Sequence, residues 1–255
     1  MIEIKKARKA FAAYVRNYDA SDEQIALKIK HTFEVMNYAL LIAKDLHLTK
    51  EQSDLAELIA LLHDIGRFEQ VRQYHTFIDA DSVDHAKLGV EVLQNHQLNR
   101  EFVEEGYDEI IFQAILNHNR YQIEAGLSKE TLLQARIIRD ADKTDILRVN
   151  NENSCETLFM CSEEEMCASL ISDDVLQDFM AHHSILSSKR KTPADILVSH
   201  IALLYDFNFP TGLSIIAQKG WIPQMLHRFD FHQPQMKERI QMVEQEALNY
   251  MKQTS

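Results

Sequence analysis

Two residues that interrupt regular structure are scarce in this chain, because its 255 residues include 6 glycines and 4 prolines. It also lacks Gly/Ser-rich linkers, internal repeats and any clear run of alternating strand-like residues. Since helix interiors exclude proline and disfavour glycine, this scarcity indicates a helical protein without a flexible hinge. We therefore predict an all-α fold of about nine to eleven helices, organised as a single domain over residues 1–255.

Basic surface and long apolar runs are lacking as well. Lys and Arg total 27 against 39 for Asp and Glu, a formal net charge of −12, so we expect no duplex nucleic acid partner. No stretch is apolar over the roughly 18 residues that a membrane span needs, which predicts a soluble, cytoplasmic protein without a membrane partner. Three cysteines without a Cys-x-x-Cys pair are typical of reduced thiols, with a zinc site as the weaker alternative.

Local signals predict where several helices begin. Asp22 is a predicted N-cap, Thr49 opens a capping box with Gln52, Ser128 caps a later helix, and Thr192 precedes a proline at the first helical position. The same reasoning predicts that Gly66 ends a helix in a left-handed conformation.

Two further expectations concern the segment after Gly66. Residues 68–81 are irregular and mixed, which predicts an ordered loop over a functional site. Ser82 would cap the next helix, in which Gly89 costs stability and therefore indicates close packing or the approach of a ligand.

Five predicted helices deliver ligand-type side chains to their apolar faces. Imidazole nitrogen and carboxylate oxygen both bind divalent metals, and a carboxylate can bridge two ions. Taken singly, each residue has an ordinary explanation, because a histidine beside an apolar face is usually a core residue and an aspartate can simply end a helix. In chain order the residues are His31, His63, Asp64, His85, His118 and Asp142.

The order His, His-Asp, His, His, Asp resembles the HD-domain superfamily of metal-dependent phosphohydrolases. The similarity covers residues 25–148, and it is carried by His31 with Val35 and Ala39 and by the segments Leu62–Arg67 (LHDIGR), Asp84–Gly89 (DHAKLG), Ile115–His118 (ILNH) and Asp140–Lys143 (DADK). It implies an HD metal-binding core at 25–148, with residues 149–255 as a C-terminal helical extension packed on that bundle.

The resemblance also implies a ligand set. His31, His63, Asp64 and Asp142 match the basic four ligands, and His85 and His118 match the additional histidines of members that hold two metals. Two divalent ions are therefore expected, from among Mn, Fe, Co, Ni and Mg, with Asp64 as the bridge. The chain departs from the cyclic-dinucleotide phosphodiesterase branch at Asn119, where that branch has a further histidine and then a Gly-Tyr-Pro motif.

The function implied is hydrolysis of a phosphoester or phosphoanhydride in a nucleotide or other small phosphorylated metabolite by a metal-activated hydroxide. Asp64, Arg67 and Lys143 are the predicted catalytic residues, the last two as cations that neutralise transition-state charge. Salt bridges that orient Asp140 or Asp145 are an equal alternative for both cations. A di-iron oxygenase acting on a polyol or phosphonate is the second hypothesis, and a metal-dependent nucleotide-sensing module is the third. Self-association stays open.

Overall fold

The structure is a computed structural model that describes residues 2–96 and 98–254. Those residues are helical or irregular, with no strand among them, which confirms the all-α prediction. They form fourteen α-helices, more than the sequence predicted, because the region after residue 154 contains several helices of only five to eight residues. None of the described helices is both long and apolar enough to cross a lipid bilayer.

By its internal contacts the chain divides into two compact units, residues 1–142 and residues 143–255. The boundary falls inside one long helix, Lys129–Glu152. The single domain expected from the sequence, with a core at 25–148 and an extension at 149–255 packed on it, stays a prediction.

The first unit is built around helix α3 (Lys50–Leu62), whose C-terminal part is buried on every side. Residues 55–62 of this helix are all buried, since other helices of the unit pack against several of its faces. Burying each leucine or isoleucine there contributes about 1.5–3 kcal/mol. The helices of this unit are α1 (Ile4–Val15), α2 (Glu23–Asp45), α3 (Lys50–Leu62), α4 (Ile65–Tyr74), α5 (His85–His96), α6 (Asp108–His118) and the first part of α7 (Lys129–Glu152).

Helix α3 packs against α1, α2 and α6, and α5 packs between α4 and α6. These contacts bring the end of α3, the start of α5 and the end of α6 to one region. Short 3-10 helices at Asp79–Asp81, Leu98–Glu101 and Glu105–Tyr107 complete the connections.

The second unit places its last helix against three others. Helices α10, α12 and α13 pack on α14, and α11 packs on α8, α9 and α10. Its helices after α7 are α8 (Cys155–Phe159), α9 (Glu163–Ala168), α10 (Asp173–Met180), α11 (Pro193–Ile201), α12 (Pro210–Lys219), α13 (Trp221–His227) and α14 (Pro234–Thr254), with 3-10 turns at Ser187–Lys189 and Ala202–Asp206.

The predicted caps at Asp22, Thr49 and Ser128 are confirmed. The Asp22 carboxylate accepts from the backbone of Gln24 and Ile25, and Thr49 forms the capping box with Gln52. The Ser128 hydroxyl accepts from the Thr131 backbone N–H at 3.1 Å. Ser82 was the wrong cap for α5, because Asp84 accepts from the backbone N–H groups that begin this helix.

The loop predicted at 68–81 was wrong over its first half, since residues 65–74 form helix α4. Gly66 belongs to that helix and is not among the glycines with positive φ. It serves a close approach: a Cβ there would lie 2.3 Å from the His85 carbonyl oxygen and 2.5 Å from the Gly89 nitrogen. The expectation that Gly89 marks close packing is confirmed by the same contact.

Candidate metal centre

The His-Asp pair lies at the break between α3 and α4. Helix α3 ends at Leu62, and α4 begins at Ile65. Of the two residues between them, Asp64 departs from helical geometry, with φ −105° and ψ 16°. His63 is fully buried and Asp64 is 3% exposed. The Asp64 carboxylate makes no capping hydrogen bond to α4, so ending the helix does not account for this side chain.

The two oxygens of Asp64 face two different pairs of histidines. Its Oδ2 lies 3.4 Å from His31 Nε2 and 3.5 Å from His63 Nε2. Its Oδ1 lies 3.5 Å from His85 Nε2 and 3.6 Å from His118 Nε2. A carboxylate in this position could be shared between two cations, one on each side.

Helix α7 adds the sixth predicted ligand. Asp142 Oδ1 lies 3.1 Å from His31 Nε2 and 3.9 Å from His63 Nε2, on the Oδ2 side of Asp64. The structure thus brings all six predicted ligand residues together. Among these six residues, three sets have their ligand atoms within 4.8 Å of one another: His31, His63 and Asp64; His63, His118 and Asp142; and Asp64, His85 and His118.

The imidazoles of His63, His85 and His118 are held by their Nδ1 atoms. His63 Nδ1 lies 2.8 Å from the Ala60 carbonyl, His118 Nδ1 lies 2.6 Å from the Ile115 carbonyl, and His85 Nδ1 lies 2.6 Å from Asp79 Oδ2. Each partner can only accept, so each Nδ1 carries the proton and each Nε2 presents a lone pair to the cluster.

These lone pairs have a cation as their natural partner. His63 Nε2 is buried and makes no hydrogen bond, and the Nε2 atoms of His85 and His118 face each other at 3.1 Å. Burial lowers the pKa of His63 to about 4. Burial, together with the charge of Arg67, lowers the pKa of His85 to about 4 as well. Two Nε2 lone pairs that face each other at this distance repel unless a cation lies between them.

Lys28, which sequence reasoning missed, is the cation in contact with the central carboxylate. Its Nζ lies 2.6 Å from Asp64 Oδ2 and 5.6 Å from the centre of the Phe77 ring. Burial alone would raise the pKa of Asp64, but the Lys28 charge holds this pKa well below its usual range. Spacing on α2 could have identified Lys28, because it precedes His31 by three residues and therefore shares its face.

The two predicted catalytic cations differ in their surroundings. Arg67 Nε lies 3.8 Å from Asp64 Oδ1, while its Nη1 donates to the Phe77 carbonyl and to Asp79. Lys143 donates through Nζ to the carbonyl and the carboxylate of Asp206. Their catalytic roles stay predictions.

Asp79 is the second residue that sequence reasoning missed. Its carboxylate accepts from the ligand-type imidazole of His85. Nothing local marks Asp79, since the contact depends on how the loop after α4 folds back against α5.

The fold and this cluster define an all-helical protein with a buried histidine–aspartate centre that could bind metal ions. A family model described as the HD domain matches residues 29–147. The chain therefore contains an HD domain, as its sequence predicted, followed by further C-terminal helices. No curated protein and no solved structure matched the chain in the same comparisons.

The residues present fit divalent transition metals. Neutral imidazole nitrogen with carboxylate oxygen suits Zn, Fe, Mn, Co and Ni. Buried lone pairs that face one another, with Nδ1 atoms held by carbonyl or carboxylate acceptors, are the arrangement found around metal-ligating histidines. The cluster is typical of an HD-domain metal site.

Proposed function

We propose that the protein is a metal-dependent phosphohydrolase acting on a nucleotide or another small phosphorylated metabolite. The observation that carries the proposal is the position of Asp64, whose Oδ2 faces His31 and His63 while its Oδ1 faces His85 and His118. One pair of histidines would serve one ion. Two pairs on opposite oxygens of one carboxylate suit two ions that share it.

His31, His63 and Asp142 would hold the first ion and His85 and His118 the second, with Asp64 between them. When bound, divalent cations lower the pKa of water and neutralise charge on phosphoryl oxygens. The protein's own task is to hold the imidazoles neutral and oriented. The carbonyls of Ala60 and Ile115 and the carboxylate of Asp79 do this through the three Nδ1 atoms.

Local cations support a phosphorylated substrate despite the formal charge of −12. The charged groups of Lys28 and Arg67 both lie beside Asp64, and both lie 5.6 Å from the centre of the Phe77 ring. Lysine and arginine bind phosphoryl groups through charge-assisted hydrogen bonds, and the same cations neutralise charge that develops in the transition state. We propose Lys28 as a substrate-facing cation beside the predicted Arg67 and Lys143.

The test is a phosphate-release screen on protein stripped with a chelator and reloaded with Mn²⁺, Fe²⁺, Co²⁺, Ni²⁺ or Mg²⁺. The panel contains nucleoside mono-, di- and triphosphates and sugar phosphates. We expect turnover that requires metal and is lost in Asp64→Ala. His227→Ala is the matched control, because His227 pairs with Glu244 on the surface of the second unit.

The two alternative functions are outcomes of the same screen. Consumption of O₂ with a polyol or phosphonate, without phosphate release from any substrate, would replace hydrolysis by the oxygenase hypothesis. Nucleotide binding without any turnover in the metal-loaded protein would favour the sensing module.

A further inference from the structure

The loop of residues 75–84, which joins α4 to α5, makes a hydrogen bond to the metal centre through Asp79. Asp79 Oδ2 lies 2.6 Å from His85 Nδ1. Through this contact the loop is joined to the histidine pair on the Oδ1 side of Asp64.

Asp79 is itself fixed by Arg67. The guanidinium Nη1 donates to Asp79 Oδ1 at 2.8 Å, to the Phe77 carbonyl at 2.6 Å and to Gln70 Oε1 at 2.7 Å. One nitrogen of α4 therefore holds both the backbone and the carboxylate of the loop.

Gln70 completes the support from a fully buried position. Its Nε2 lies 2.9 Å from Asp79 Oδ1, 2.9 Å from Ser82 Oγ and 3.0 Å from the Val83 carbonyl. Asp79 Oδ1 thus accepts from two donors on α4, and this leaves Oδ2 for His85.

Because the two oxygens of Asp79 have different partners, the tautomer of the His85 imidazole is fixed. A carboxylate can only accept, so His85 keeps its proton on Nδ1 and directs the Nε2 lone pair toward Asp64 and His118. An imidazole held by a carboxylate is a stronger metal ligand.

We propose that Asp79 is a positioning residue for the second metal ion, and that the α4–α5 loop sets the affinity of that ion through the hydrogen bond from His85 to Asp79. The inference rests on the proposed two-ion function. It assigns Arg67 a role in holding Asp79, in addition to the charge that Arg67 brings to Asp64.

The amide variant Asp79→Asn gives the sharpest consequence. An amide has one accepting oxygen, and that oxygen stays with the two donors, Arg67 and Gln70. Its NH₂ group then faces His85 Nδ1, which must become the acceptor, so the proton moves to Nε2 and points into the centre. Asp79→Ala removes the constraint without reversing it.

The experiment uses the full-length chain and two readouts that do not depend on turnover. Co²⁺ is titrated into metal-stripped protein with its visible absorption as the signal, and ¹⁵N-histidine spectra of the stripped protein report the tautomer of His85. Asp81→Asn is the matched control, since Asp81 is an exposed acid in the same 3-10 turn and loses the same charge.

We expect Asp79→Ala to weaken the second ion about 10- to 100-fold while the first ion is unchanged. Asp79→Asn should weaken the second ion at least as much and show His85 protonated on Nε2. Asp81→Asn should match the wild type in both readouts. If Asp79→Ala fails to fold, Asp79→Asn, which preserves shape, decides the matter.

The proposal is overturned if both Asp79 variants bind the second ion as tightly as the wild type, or if wild-type His85 carries its proton on Nε2. A wild type that binds a single ion overturns it too, and phosphate release by that one-ion protein would leave the proposed hydrolysis standing. Two ions that follow the expected pattern, without turnover of any phosphorylated substrate, would instead refute the proposed hydrolysis and leave the role of Asp79 standing.

Discussion

Two fully or nearly fully buried aspartates, one in each unit, have opposite surroundings. Asp195, at the start of α11, accepts from the backbone and hydroxyl of Ser172 and from the backbone N–H groups of Lys191 and Thr192. Asp64 is surrounded by imidazole nitrogens at 3.4–3.6 Å and by one ammonium group. Asp195 is a structural residue, because donors of the protein itself satisfy its carboxylate. Around Asp64, the imidazole Nε2 lone pairs would be satisfied by bound cations.

The histidines of the two units differ in the same way. His182 and His227 make exposed pairs with Glu246 and Glu244, and His200 bonds to Asn150 through Nδ1. Within the described residues, none of them joins a potential metal-binding set. The comparison shows how a metal-ligating histidine is recognised. One ring nitrogen is held by an acceptor, and the other faces further potential ligand atoms.

The largest expected effect separates the two aspartates. Asp64→Ala should lose both ions and all metal-dependent turnover, because it removes the group that both ions would share. Asp195→Ala should keep both ions and instead lose about 3 kcal/mol of stability, since several buried N–H and O–H groups lose their acceptor. Metal analysis and urea unfolding of the two variants measure this. Loss of metal in both, or in neither, would remove the distinction.

The next effect separates the histidines. His118→Ala should leave one ion bound and abolish most turnover, because His118 faces Asp64 Oδ1 with His85. His182→Ala, which removes an exposed imidazole, should change neither quantity. Titration with Mn²⁺ and the phosphate-release rate are the measurements. An unchanged stoichiometry in His118→Ala would make His118 an ordinary core residue.

A smaller effect concerns two glycines. A Cβ at Gly66 would meet backbone atoms of His85 and Gly89, whereas one at Gly212 would meet the side chains of Phe207 and Thr144. Each alanine variant should cost about 1–3 kcal/mol, with Gly66→Ala the more costly because backbone cannot rotate away. Gly66→Ala should also weaken the second ion by displacing the start of α5. Thermal unfolding and metal titration test both, and a larger stability loss in Gly212→Ala would contradict the ranking.

His200 is expected to affect the acid dependence of stability but not the metal centre. Burial, aided by the Arg190 charge, lowers the pKa of His200 from 6.5 to about 3. The folded state therefore favours the neutral ring. The resulting contribution to the free energy of unfolding is complete above pH 6.5 and is lost as the pH falls toward 3. His200→Gln should reduce the acid dependence of stability by up to about 1.4 kcal/mol per pH unit, with metal binding unchanged. The free energy of unfolding of both proteins is measured with urea between pH 4 and 6.5. The same change with pH in the wild type and in His200→Gln would contradict this.

Sequence reasoning predicted the features that are local. The caps at Asp22, Thr49 and Thr192 act within three residues, and apolar stripes report the buried face of a helix directly. The six ligand-type residues were found because their order along the chain is itself a signal. The structure brings these residues together, whereas their binding of metal stays a prediction.

The missed features depend on contacts distant in sequence or on folded loops. Gly66 has the same sequence signature whether it ends a helix or admits a neighbouring backbone, and only its approach to Gly89 distinguishes the two. Asp79 acquires its role because Arg67 and Gln70 hold its loop. Lys28 was within reach of helical spacing, but an isolated lysine on a helix is usually solvated.

The measurement that tests the central claim most directly is the number of metal ions bound by the metal-stripped wild-type chain. Titration with Co²⁺ or Mn²⁺, followed by elemental analysis after gel filtration, should give two equivalents per chain. It should give one in His85→Ala and in His118→Ala. A single equivalent in the wild type, unchanged in both variants, would contradict the account.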